Sequence, residues 1–78
     1  MDWEQFAQAM SGLGYLIANA TLDGSLVCQM VWRCDHPGCT TTAQMLQPGH
    51  DIRHSPELAF IFDLAIDAKK QAQGECRH

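Results

Sequence analysis

Cys34 and Cys39 flank the tetrapeptide Asp35-His36-Pro37-Gly38, and ten residues further on His50 and His54 stand four apart, a C-x4-C-x10-H-x3-H spacing. Thiolate sulfur and imidazole nitrogen are the donors a tetrahedral structural zinc site uses, and four of them in this order form a complete ligand set. The thiols need a device that turns them toward one point. Pro37 presets φ for the second position of a β-turn and Gly38 supplies a positive φ at the third, so His36-Pro37-Gly38-Cys39 predicts a type II turn. His50 and His54 share one face if their segment makes a helical turn. The expected ligands are therefore Cys34, Cys39, His50 and His54, holding zinc in a structural role. The competing reading makes the cysteines small core residues and leaves the histidines on the surface.

Over these 21 residues the chain resembles the classical zinc-finger family, which carries two cysteines on a hairpin and two histidines on a helix. The resemblance implies a ββα zinc-bearing portion and, by analogy, nucleic-acid binding. The spacer here is two residues shorter than the family's usual twelve or so. Gln47-Pro48-Gly49 also interrupts the place where the family's base-reading helix would run.

Two further chemistries compete with the structural site. His50-Asp51-Ile52-Arg53-His54 is one methylene from the His-Glu-x-x-His motif of zinc hydrolases, where the carboxylate is general base to a metal-bound water. That motif needs a long helix and an open coordination position. Pro48-Gly49 and Pro56 bracket this segment, and Cys34 and Cys39 would close the metal. Asp63 and Asp67, four apart, read as a solvated helix face rather than a catalytic pair. The expectation is a non-enzyme.

Seventy-eight residues make one domain, 1–78, and a chain of this size gains from a metal, disulfide or oligomeric staple. Its apolar content of 46% is that of a folded domain. Nine acidic against five basic residues give a net charge of −4, without the basic stripe that phosphate backbones require. Met1-Asp2-Trp3-Glu4-Gln5 lacks the basic-then-apolar layout of a secretion signal, and no apolar run is long enough to cross a bilayer. A reducing, cytoplasmic setting is expected, in which close thiols bind metal rather than pair. In an oxidising setting Cys28, Cys34, Cys39 and Cys76 would allow three pairings, among which the spacing does not choose.

The elements that must position the ligands follow from periodicity. Residues 2–20 predict an amphipathic helix, with Asp2 and Gln5 as a capping box and Trp3, Phe6, Ala7, Met10, Leu13, Gly14 and Ile17 along one face. Asp23-Gly24 is a turn. A strand over Tyr15–Leu22, paired through that turn, is the alternative to the longer helix. Residues 25–33 alternate Leu26, Cys28, Met30 and Trp32 to one side, and 40–46 return, giving a hairpin over 25–46 with the thiols at its tip. Trp32 is expected beside the metal. Residues 56–73 predict a second helix capped by Ser55, begun by Pro56 and stopped by Gly74. Leu58, Ile61, Phe62, Ala65 and Ala68 form its buried face, widened by Phe60 and Leu64. Residues 75–78 are expected to fray, which makes Cys76 and His78 weak ligands. Cys28 is expected as a buried thiol.

The fold class so derived is α+β, an α-β-β-α domain with a ββα metal-bearing part. The function expected is a zinc-stabilised protein-interaction or regulatory module that meets no membrane, with homo-oligomerisation open. A variant zinc finger binding nucleic acid is the second reading and a zinc metallohydrolase the third.

Overall fold

A computed structural model describes residues 1–49 and 52–76. The order is α1 (Trp3–Leu13), β1 (Leu16–Leu22), β2 (Ser25–Arg33), β3 (Thr42–Pro48), a 3-10 turn (Ile52–His54) and α2 (Leu58–Glu75). The strands form one antiparallel sheet in the order β1-β2-β3. The α+β class stands, with three strands where the sequence predicts two.

The first helix is capped as expected. The Asp2 carboxylate accepts from the Gln5 amide at 2.8 Å, and the Gln5 side chain accepts from the Asp2 amide at 3.1 Å. It ends seven residues sooner than predicted. Gly14 takes φ +96, a left-handed conformation, and its amide closes the last turn onto Met10 and Ser11. The chain then pairs as β1 with β2 through a two-residue turn, with Asp23 at φ 51 and Gly24 at φ 80. Positive φ at both positions is the type I′ geometry, whose twist matches antiparallel strands. Ile17 misled the helical count because position 17 suits both periods: seven residues after Met10 on a helix, and inward beside Met30 on the strand.

Both helices run from the Leu26 end of the sheet toward the Cys34 end. Arg53, just before α2, lies over the Trp3 ring at 5.9 Å. Further along, Lys69 Nζ donates to the Leu13 carbonyl at 2.7 Å. Between helices and sheet sit Phe6 and Met10 of α1, Tyr15 of the link into β1, Cys28, Met30 and Trp32 of β2, and Leu58, Ile61 and Ala65 of α2, all buried. Burying one such large side chain contributes about 2 kcal/mol.

Helix α2 begins later and ends later than its sequence signals. Ser55 Oγ accepts from the Glu57 amide at 3.1 Å, so it caps a turn that precedes the helix, and Glu57 is the N-cap. Gly74 does not stop it. The helix carries on to Glu75, and Cys76 is held by a tertiary partner, which stabilises a last turn that propensity alone would let fray. Phe60 and Leu64 do not widen the buried face as expected and remain 61% and 39% exposed.

The other face of the sheet is open and largely apolar, with Gln29 and Gln44 among its polar positions. Register places Leu16 beside Val31, Ala18 beside Gln29 and Leu46, and Ala20 beside Val27 and Pro48. Leu16 is 77% exposed and Leu46 is 45% exposed. Among the described residues of this face the one charge is Arg33, at the end of β2. No helix of the described residues is long and apolar enough to cross a membrane.

Candidate metal centre

The loop between β2 and β3 carries the first two thiols. The Cys34 amide donates to the Thr41 carbonyl at 3.0 Å, which extends the ladder one pair beyond Arg33 and Thr42 and fixes where the loop starts. The Cys39 amide then donates to the His36 carbonyl at 3.1 Å, with Gly38 at φ 82. This is the turn expected from His36-Pro37-Gly38-Cys39, with glycine at the position a side chain would strain.

The third thiol comes from the end of α2. Cys34, Cys39 and Cys76 bring their sulfurs within 4.8 Å of one another, a group that could hold a metal ion. Cys39 and Cys76 are joined as a disulfide, their Cα atoms 6.0 Å apart, a spacing ordinary for such a bond. A disulfide sulfur is not a thiolate, so the bridge and a bound metal are alternative states of the same three side chains. Cys39 Sγ is hydrogen-bonded to Thr41 Oγ1 at 3.3 Å. With Cys39 as a thiolate or a bridge, the hydroxyl is the donor, the outer partner a metal-bound sulfur commonly has.

A cavity beside the cluster is lined by Trp32, Cys34, Asp35, His36, Gln73 and Cys76. Trp32 thus stands next to the thiols, as its place on β2 suggests. Its indole is pinned from two other sides: Lys69 Nζ is 5.7 Å from the ring centroid, and Gly14 is so close that a Cβ there would lie 3.1 Å from Trp32 Cδ1.

Of the four ligands expected from sequence, Cys34 and Cys39 come together. His54 closes the 3-10 turn, which follows Gly49, and the Gly49 amide donates to the Leu26 carbonyl at 2.8 Å. That is the opposite end of β2 from Cys34, on the order of 25 Å along the strand. His54 lines a cavity with Trp3, Ile17, Cys28 and Arg53. His50, with Asp51, lies outside the described residues, as do Arg77 and His78. Cys76, set aside in the sequence as part of a fraying tail, takes part in the cluster. Cys28 is a buried free thiol in the core, as expected, and burial pushes its pKa up.

Among the described residues, two cations share one end of the sheet and a third lies at the other. Arg33 and Lys69 line one cavity with Asp35, while Arg53 covers Trp3 at the other end of the sheet. Comparison with protein-family models, with curated proteins and with solved structures finds no match to this chain.

Proposed function

We propose that this chain is a non-enzymatic protein-interaction module, held together by a structural zinc ion on the thiolates of Cys34, Cys39 and Cys76. The interaction reading is carried by the uncovered sheet face. A face that leaves Leu16 largely and Leu46 nearly half in water, with one charge at its edge, has the chemistry of a contact surface rather than a solvated one. A second copy of the chain fits it by its own composition, since an apolar, nearly uncharged face is self-complementary under a twofold axis.

Zinc is the ion of choice for three thiolates, a donor set too soft for calcium or magnesium. Tetrahedral zinc takes a fourth donor; His36, on the turn between Cys34 and Cys39 and on the wall of the adjoining cavity, lies outside the three-sulfur group and would turn toward it to supply that donor. The zinc-bound form belongs to a reducing compartment, where the thiols stay reduced.

A nucleic-acid partner is the weaker reading, because Arg53 stands at the opposite end of the sheet from Arg33 and Lys69, and Lys69 is engaged with Leu13 and Trp32. Sedimentation over a range of protein concentrations tests the proposal. Self-association that Leu16→Asp and Leu46→Asp abolish, with circular dichroism unchanged, is the expected result. A monomer at every concentration would rule out the second copy, and association that ignores both substitutions would rule out this face.

A further inference from the structure

We infer that the three-thiol cluster is a redox-governed metal site: a two-electron oxidant joins Cys39 to Cys76, expels the zinc and leaves Cys34 as a thiol. This deepens the metal reading above and rests on it. The geometry that carries it is the juxtaposition of the three sulfurs within 4.8 Å, together with the bridge between Cys39 and Cys76 in this structure. The same atoms that complete a metal site are therefore already placed to bond to each other. The two states exclude one another, because the bridge consumes two of the three thiolates.

The step balances with a peroxide as oxidant. A zinc-bound thiolate of Cys39 or Cys76 attacks one peroxide oxygen, the O–O bond breaks, and a sulfenic acid and hydroxide result. The other thiolate attacks the sulfenic sulfur and displaces a second hydroxide, forming the S–S bond. Two electrons have passed from the sulfurs to the peroxide, two protons from solvent turn the hydroxides into water, a third protonates the Cys34 thiolate, and zinc leaves as the divalent ion. A thiol reductant runs the sulfur chemistry in reverse, and zinc can return.

The fold survives the exchange for a topological reason. In both states Cys39 on the β2–β3 loop stays tied to Cys76 at the end of α2, across 37 residues of sequence. What changes is Cys34. It loses its metal and becomes a half-buried thiol next to a disulfide, the arrangement from which thiol–disulfide exchange starts. Cys28, fully buried in the core, takes no part and serves as an internal reference.

The test uses the whole chain, reduced, loaded with zinc and freed of excess metal. Hydrogen peroxide is titrated in while zinc release is followed with a coloured chelator. The disulfide is mapped by tandem mass spectrometry of protease fragments. The expected result is release of the bound zinc in step with a Cys39–Cys76 link, with Cys28 and Cys34 both alkylatable once the oxidised chain is denatured, and reloading after reduction. A link that forms while zinc stays bound would overturn the switch, as would zinc release with a different pairing or with only sulfinic acids. A reduced chain that takes up no zinc would overturn the metal reading, and the switch with it.

Discussion

Cys39 and Cys76 stand 37 residues apart in the chain and 6.0 Å apart at their Cα atoms. A cross-link there closes most of the second half of the protein, and by chain entropy alone a loop of that length contributes about 4 kcal/mol. Cys76→Ser removes that closure in either redox state. The expected loss of several kcal/mol is a fall in Tm of well over ~10 °C for a domain of this size. Zinc stoichiometry by native mass spectrometry should fall with it. His54→Ala, at the other end of the sheet, should leave one zinc per chain. A loss of zinc in His54→Ala with retention in Cys76→Ser would restore the finger-like ligand set of the sequence.

The fourth donor is open to a spectroscopic test. Cobalt in place of zinc reports its donors through visible absorption bands, and three sulfurs with one imidazole give a different pattern from three sulfurs with water. His36→Ala should change those bands and weaken cobalt binding roughly tenfold or more. Unchanged bands would assign the fourth position elsewhere.

The zinc-like spacing and the true assembly differ because they draw on different information. The turn at Pro37-Gly38 is local, and so it was legible. The capping box at Asp2 and Gln5 was legible for the same reason, as was the alternation of Cys28, Met30 and Trp32 on β2. The stop at Gly14 had a visible signal in the glycine and in the Asp23-Gly24 turn beyond it. Ile17 satisfies both periods, so periodicity alone does not end the helix at Leu13. Cys76 had no local signal at all. Its role follows from the length of α2 and from both helices running toward the Cys34 end, which is tertiary information. His54 shows the converse. Its spacing from Cys39 looks like a ligand's, but β3 returns along the length of the sheet before the 3-10 turn begins, and carries it away from the thiols.

Lys69 ties the second helix to the end of the first. Its ammonium donates to the Leu13 carbonyl, one of the acceptors a helix C-terminus leaves unpaired, and it lies over Trp32. Lys69→Met keeps the stem and removes the charge. A loss of about 1–2 kcal/mol is expected from the charge-assisted hydrogen bond and the cation–π contact together. Urea unfolding measures it. The metal content should be unaffected, which separates this contact from the staple, and a variant as stable as the parent would show the contact to be idle.

Tyr15, in the link between α1 and β1, is tied to α2 through its hydroxyl, which donates to the Ala65 carbonyl at 2.6 Å in a buried setting. Burial raises its pKa above the usual phenol value, because the phenolate would be desolvated. The sign of the linkage follows. Below the unfolded-state pKa of about 10 the hydroxyl is protonated in both states and its contribution is fully present. Above it the unfolded chain releases the proton first, so stability falls as pH rises through the folded-state pKa. Deprotonation also removes the donor to Ala65. Tyr15 is the single tyrosine in the chain, so tyrosinate absorbance follows it directly. Its titration should coincide with alkaline unfolding and lie above that of the urea-unfolded protein. Tyr15→Phe should cost about 1 kcal/mol at neutral pH and lose the part of the alkaline destabilisation that Tyr15 contributes. Coincident titrations of the folded and unfolded chains would mean that the hydroxyl is not buried as described.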